Sequence, residues 1–132
     1  MERLIGRFAP HLYAILRIIS GLMFFLHGSQ KIFGWPGGSL GQLPMLAVIA
    51  GWLEVILGAL ITIGLFGSFA AFLASGEMAV AYFIGHAGKG FWPVLNEGEL
   101  AVLYCFLFLY IAAMGSGIWS LDAVMHRGRR AA

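Results

Sequence analysis

The sequence predicts an all-α fold class, specifically an integral membrane bundle of four helices, and three observations lead to it. Hydrophobic residues make up 61% of the 132 residues and charged residues only 11%, whereas soluble domains average about 25% charged residues. The apolar residues are concentrated in four segments of about 20 residues, the length with which a helix crosses a bilayer. None of these segments alternates apolar and polar residues as a barrel strand does. One membrane-spanning domain is therefore expected over residues 1–132.

The predicted helices cover about residues 12–33, 44–65, 69–86 and 99–119. Between them lie stretches rich in glycine and proline, at Gly34–Gly38, Gly64–Ser68 and Gly88–Pro93. Because the middle stretch is short, helices two and three are expected to form an antiparallel hairpin. Small residues such as Gly51 and Gly58 would let helix backbones approach closely in lipid.

Basic residues near helix ends predict the orientation of the chain in the membrane. They are clustered before and in the first helix and again after the fourth, at Arg3, Arg7, Arg17, Arg127, Arg129 and Arg130. Since basic residues flanking spanning helices remain on the cytoplasmic side, both termini are expected to be cytoplasmic. The connections after helices one and three would then face outward.

The charge and cysteine content exclude two classes of function. The net charge is only +2, and the basic residues do not form the stripe or patch that binds nucleic acid. The one cysteine, Cys105, allows neither an internal disulfide nor the Cys-x-x-Cys chemistry of a thiol oxidoreductase acting alone. A disulfide to a partner chain remains open.

Three ionisable residues within the predicted spans form a candidate buried charge network of Arg17, Glu54 and Glu77. At a rise of about 1.5 Å per residue, both glutamates lie close to the middle of a hydrocarbon core about 30 Å thick. The long side chain of Arg17 is expected to approach them from the inner side. Two interpretations stay open: an ion network that fixes helix register, or a proton or ligand site, which is the usual role of ionisable groups in membranes.

A second candidate group lies toward the outer side, in a cleft lined by His27, Lys31, His86 and Glu99. His27 and Lys31 are four residues apart and therefore share one side of a helix. Histidines among aromatic residues suit a ligand with carbonyl oxygens and an apolar body, such as a quinone. The alternatives are that the aromatic residues only pack and that Glu99 serves the helix N-terminus. No metal is expected, because the sequence has no closely spaced pair of metal-ligating residues.

With these residues in place, the sequence resembles the DoxX family of small four-helix bacterial membrane proteins. The resemblance runs from about Leu16 to Val124. It rests on six segments in order: Leu16–Gly21, His27–Phe33, Glu54–Gly58 leading to Gly64–Phe66, Ala79–Phe83 leading to His86, Asn96–Leu100 and Gly115–Asp122. The chain departs from the family pattern in two places, since Gly67-Ser68 stands where relatives commonly have Thr-Arg and Ser116 where they have proline.

The resemblance implies a bacterial inner-membrane protein linked to redox chemistry, because the family is named for a subunit associated with thiosulfate:quinone oxidoreductase. The leading hypothesis is a small subunit of a membrane redox complex with an outward-opening cleft for a quinone-like ligand. Two alternatives are a structural or assembly subunit without catalysis and a small proton-coupled transporter. The expected partners are membrane lipid and other membrane subunits or further copies of the chain, without nucleic acid. The sequence assigns no catalytic residue.

Overall fold

The computed structural model describes residues 1–38 and 40–131 and contains, within these ranges, helices and connections but no strand. The α-helices are α1 (Glu2–Ile5), α2 (Ala9–Phe33), α3 (Met45–Ile63), α4 (Gly67–Gly85), α5 (Pro93–Asn96), α6 (Glu99–Met114) and α7 (Leu121–Ala131). Short 3₁₀ turns at Gly6–Phe8 and Ala87–Lys89 extend α2 and α4. The prediction of an all-α protein is confirmed.

Three helical stretches in the described residues are long and apolar enough to cross a membrane. They are Glu2–Phe33 with 32 residues, Met45–Ile63 with 19 and Gly67–Lys89 with 23. Large apolar side chains such as Ile19, Phe69 and Phe106 are exposed on the outside of the bundle, where lipid would cover them. Helix α6 is apolar but has only 16 residues, so the count of four crossings stays a prediction. The orientation of the chain in the membrane also stays a prediction. The side chains of Arg129 and Arg130, on which it partly rests, lie outside the described part of the chain.

The prediction for the fourth helix was wrong at its C-terminal end. Helix α6 ends at Met114 rather than near 119, because Gly115 and Gly117 turn the chain with φ angles of +81° and +65°. A glycine adopts such angles without the steric penalty that a β-carbon imposes. The chain then enters α7, a short helix with a basic C-terminal half that the hydropathy pattern did not predict.

Helices α2 and α3 pack backbone to backbone through glycines. A β-carbon on Gly28 would lie 2.5 Å from the carbonyl oxygen of Gly51, and one on Gly58 would lie 2.5 Å from the backbone nitrogen of Phe25. Both distances are shorter than any real contact of a β-carbon, so only glycine permits this approach. The close packing brings the last turn of α2 alongside the middle of α3.

The remaining contacts close the four long helices into a bundle. Helix α4 packs on α3 and α6, and α6 meets α2 through aromatic side chains. The ring of Phe24 lies 4.8 Å from that of Phe108 and 5.6 Å from that of Tyr104, measured between ring centroids. These buried rings form the centre of the apolar core, which continues along α4 through Ala70 and Ala74.

Arg17 closes the bundle at the end that carries the Gly64–Phe66 turn and the loop after α6, here called the hairpin end. The side chain is fully buried. Its Nη1 donates to the carbonyl oxygens of Ile61 at 2.6 Å and Thr62 at 2.7 Å, and its Nη2 donates to that of Trp119 at 2.8 Å. Carbonyls at the C-terminus of a helix lack helical partners and carry the negative end of the helix dipole. Both terminal nitrogens of the guanidinium are hydrogen-bonded there, whereas its buried Nε has no partner among the described residues.

The expectation that Arg17 faces the glutamates is therefore wrong. Its hydrogen bonds go to carbonyl oxygens of α3 and of the loop after α6, and Glu54 pairs with a different cation. The reason is that the guanidinium of Arg17 and the C-terminal carbonyl oxygens of α3 both lie at the hairpin end, within hydrogen-bonding distance of each other.

Candidate functional site

A cavity of about 210 Å³ lies between the four long helices, at the end opposite Arg17. This end carries the 34–44 and 86–98 connections and is here called the loop end. The polar and charged residues of the lining are His27, Lys31, Glu54, His86, Glu97 and Tyr104. The apolar part of the lining comes from Phe24, Met78, Ala81, Leu100 and Ala101.

Lys31 and Glu54 form an ion pair at the wall of this cavity. The Nζ of Lys31 lies 2.7 Å from Oε1 of Glu54. The Glu54 side chain is 4% exposed and that of Lys31 is 37% exposed, so the ammonium reaches toward the loop end while the carboxylate is desolvated. The glycine contact at Gly28, one turn before Lys31, places the two side chains side by side.

Glu54 has a second carboxylate oxygen, Oε2, that is buried and has no hydrogen-bond partner in the described residues. Both carboxyl oxygens of Glu77 on α4 are likewise buried and have no hydrogen-bond partner among the described residues. Glu77 is close enough to Glu54 and Lys31 to interact with them electrostatically. With two carboxyl groups and one ammonium, this cluster carries an uncompensated negative charge unless one carboxyl group holds a proton or a ligand supplies a positive charge.

His86 is oriented by the backbone of the 86–98 connection. Its Nδ1 lies 3.0 Å from the carbonyl oxygen of Asn96. A carbonyl oxygen only accepts hydrogen bonds, so Nδ1 is assigned the proton. In the neutral ring Nε2 is then the acceptor, and His86 lines the cavity.

Asn96 holds the connection that carries His86 and is completely buried. Its Nδ2 donates to the carbonyl oxygen of Gly90 at 2.7 Å and to the hydroxyl of Tyr82 at 3.1 Å. Its Oδ1 accepts from the backbone N–H of Gly98 at 2.9 Å. The Tyr82 hydroxyl in turn donates to the carbonyl oxygen of Phe91. The 86–98 connection is therefore tied together by one amide side chain.

Tyr104 lines the cavity and was missed by the sequence reasoning. Its hydroxyl is buried and has no partner among the described residues. Its ring stacks on that of Phe108 at a centroid distance of 5.2 Å, and the rings of Phe24 and His27 lie 5.6 and 6.3 Å away. A signal for it exists, because Leu100, Ala101 and Tyr104 are spaced to share one face of α6.

The structure brings together three of the four predicted ligand-binding residues. His27, Lys31 and His86 line the cavity. Glu99, the first residue of α6, is exposed and lies off the lining face of that helix, and Glu97 from the turn before α6 stands at the cavity instead. That these residues bind a ligand stays a prediction. In the described part of the chain, no group of three His, Cys, Asp or Glu side chains could hold a metal ion.

The hairpin end carries a separate, larger groove of about 450 Å³, next to Asp122 and His126. The carboxylate of Asp122 accepts hydrogen bonds from the backbone N–H groups of Phe66 at 3.0 Å and Gly67 at 3.1 Å, and from the Ser116 hydroxyl at 2.6 Å. Partial burial alone would raise the pKa of Asp122, but these hydrogen bonds outweigh it and hold the pKa below its usual value. Asp122 thus caps the N-terminus of α4 from a distant part of the chain.

Comparison with known proteins points to one family. The family model for DoxX matches residues 12–87. A protein of Haemophilus influenzae described as uncharacterized is 45% identical over 125 residues, which cover 88% of this chain and 92% of that protein. A Bacillus subtilis protein named "Putative oxidoreductase CatD" is 27% identical over 126 residues, covering 88% of each chain. No solved structure matches the chain.

Proposed function

The chain belongs to the DoxX family, and we propose that it is a small subunit of a membrane redox complex whose loop-end cavity binds the headgroup of a quinone-like amphiphile. The observation that carries the proposal is the cavity itself. Two histidines, a lysine and a tyrosine meet aromatic and aliphatic side chains there, inside a bundle whose outer surface is apolar.

The size of the cavity suits one aromatic ring. An apolar cavity of about 150 Å³ accommodates benzene, and the volume here is about 210 Å³. A single six-membered ring with its oxygens therefore fits, whereas an isoprenoid tail does not. The tail of such an amphiphile would leave between the helices into lipid.

The polar groups suit a ring with oxygens at its edge. Binding sites for small molecules are mostly apolar and contain a few polar groups that fix orientation. His27, Lys31 and His86 supply these groups around the aromatic floor formed by Phe24 and Tyr104. The name of the Bacillus subtilis relative, which describes that protein as an oxidoreductase, supports a redox role for this one.

The proposal includes four crossings of a bacterial inner membrane, with both termini cytoplasmic and the cavity opening outward. The 16 residues of α6 span about 24 Å, which a bilayer accommodates by local thinning at modest cost. The arginines before α2 and in α7 support the cytoplasmic placement of both ends.

A binding titration tests the proposal. Purified protein in nanodiscs is titrated with a ubiquinone carrying one isoprene unit, and the heat of binding is measured. Saturable binding at micromolar concentration is expected, and His27→Ala is expected to weaken it at least about tenfold, since one lost contact of this kind is worth about 1.4 kcal/mol or more.

His126→Ala is the matched control, because His126 is exposed in α7 at the opposite end of the bundle. It is expected to leave binding unchanged. Absence of saturable binding, or equal affinity of the His27→Ala variant and the unaltered protein, contradicts the proposal.

A further inference from the structure

We infer that the loop-end cavity selects the reduced, dihydroxylated form of its ring ligand, a hydroquinone, over the oxidised quinone. This inference rests on the proposed function and names the redox form that the site prefers. It follows from two acceptors at the cavity, because a hydroquinone carries O–H donors and a quinone carries only carbonyl acceptors.

The first acceptor is Nε2 of His86. The hydrogen bond of Nδ1 to the Asn96 carbonyl, at 3.0 Å, places the ring proton on Nδ1. The neutral imidazole has one donor and one acceptor. The cavity-lining His86 therefore offers an acceptor to a ligand and has already used its donor on the protein.

The second acceptor is Oε2 of Glu54. The residue is 3% exposed, Oε1 is engaged with Lys31, and Oε2 has no partner among the described residues. Buried polar atoms in proteins are almost always hydrogen-bonded. A carboxylate oxygen accepts and cannot donate, so only a hydrogen-bond donor satisfies it.

The two ligand forms meet these acceptors differently. A hydroxyl of a hydroquinone donates to either atom, and at Oε2 of Glu54 it satisfies a buried acceptor that has no partner among the described residues. A quinone oxygen in the same place brings two acceptors together and leaves both unsatisfied. The Tyr104 hydroxyl both donates and accepts, and the Lys31 ammonium donates to an oxygen of either form because a hydroxyl oxygen also accepts, so these two groups serve both forms. One unsatisfied buried group changes affinity by roughly 10- to 100-fold, and this is the preference expected.

The test uses the same one-isoprene ubiquinone in its oxidised form and, under anaerobic conditions with excess reductant, in its reduced form. Each is titrated against the full chain in nanodiscs by calorimetry. We expect the reduced form to bind about 10- to 100-fold more tightly. The midpoint potential of the bound couple is then raised by about 30 to 60 mV, since tenfold corresponds to 29.6 mV for two electrons.

Glu54→Gln is the informative variant, because it keeps the shape of the side chain and adds an amide donor. The preference for the reduced form is expected to fall at least about fivefold. Glu99→Gln is the matched control, since Glu99 is exposed and does not line the cavity. His86→Phe, which keeps a ring and removes the acceptor, provides the test if Glu54→Gln does not fold.

The outcomes distinguish this inference from the proposed function. A tighter reduced form whose advantage falls in Glu54→Gln or His86→Phe supports the inference. Equal binding of the two forms, or tighter binding of the quinone, overturns the inference and leaves the proposed function standing. Absence of binding by either form overturns both.

Discussion

Nζ of Lys31 lies 2.7 Å from Oε1 of Glu54, yet the two partners of this ion pair are buried to very different degrees. The Glu54 side chain is 4% exposed and the Lys31 side chain 37% exposed. A lysine near the end of a helix can extend its stem so that the ammonium reaches water, whereas the carboxylate in the middle of α3 has no such route. The ion pair therefore stabilises the buried charge of Glu54 more than it stabilises the charge of Lys31.

This asymmetry predicts unequal effects of breaking the pair. Lys31→Met leaves a buried carboxylate without its partner and is expected to cost about 1–3 kcal/mol of stability. Glu54→Gln is expected to cost less, because the remaining ammonium can turn outward. The double variant should recover most of the loss from Lys31→Met. Thermal unfolding in detergent, followed by helical circular dichroism, measures all three; a larger loss for Glu54→Gln than for Lys31→Met would contradict the asymmetry.

Gly28 is expected to tolerate no side chain. A β-carbon there would lie 2.5 Å from the Gly51 carbonyl oxygen and 2.7 Å from the Val55 nitrogen. Gly28→Ala must therefore push α2 and α3 apart, at about 1–3 kcal/mol, and it also moves Lys31 away from Glu54. The unfolding temperature is expected to fall and ligand binding to weaken together.

Gly76→Ala in α4 is the control for that substitution. Nothing lies within 4 Å of a β-carbon at Gly76, so alanine is expected to be neutral or slightly stabilising through its higher helix propensity. If Gly28→Ala unfolds at the same temperature as Gly76→Ala, the close approach of α2 and α3 is not a constraint in the folded protein.

Hydropathy predicted the first three long helices because the free energy of burying apolar side chains is spread over many residues of each segment. It failed at the end of α6, since the apolar run continues through Ile118 and Trp119 while the helix ends at Met114. The backbone angles of two glycines determine where α6 ends, and the hydropathy of the side chains contains no information about these angles.

The candidate site was predicted in part for a similar reason. His27, Lys31 and Glu54 stood out because ionisable residues are costly in lipid. The hydrogen-bond acceptors of Arg17 could not be predicted, because they are backbone carbonyl oxygens. Every residue carries such an oxygen, so no pattern of side chains indicates which ones accept. Whether Glu97 or Glu99 lines the cavity depends on the residue at which α6 begins. A sequence pattern defines that residue only to within one or two positions.

Charge distribution predicts that residues 41 and 88 lie on one side of the membrane and residues 2 and 128 on the other. A β-carbon added to Gly41, Gly88 or Gly128 would have nothing within 4 Å, so cysteine should be tolerated at each. In a Cys105→Ala background, a membrane-impermeant maleimide added to intact cells is expected to label Gly41→Cys and Gly88→Cys. Glu2→Cys and Gly128→Cys should react only after permeabilisation.

The same labelling experiment decides how many times the chain crosses. If Glu2→Cys and Gly128→Cys react on opposite sides, α6 does not span and the chain crosses three times, with the helices that already meet the length criterion. If both react from outside, the orientation is the reverse of the one proposed.

Asp122 links two distant parts of the chain at the hairpin end, and its ionised form is expected to stabilise the fold. The carboxylate accepts from the N–H groups of Phe66 and Gly67 at the start of α4. Asp122→Asn keeps one acceptor and loses the charge, so a loss of about 1 kcal/mol is expected near neutral pH. Unfolding temperature measured from pH 7 to pH 3 tests this.

The pH dependence has a defined sign. Because the pKa of Asp122 in the folded protein is held below its usual value, ionisation stabilises the folded state at every pH above the unfolded value of about 3.9. The difference in unfolding temperature between the unaltered protein and Asp122→Asn is therefore expected to stay constant down to about pH 4 and to shrink as the pH falls further, through the lower pKa of the folded state. Glu2→Gln, at an exposed carboxyl group, supplies the baseline for general acid effects. A difference that grows below pH 4 would mean that the protonated side chain, rather than the carboxylate, holds the start of α4.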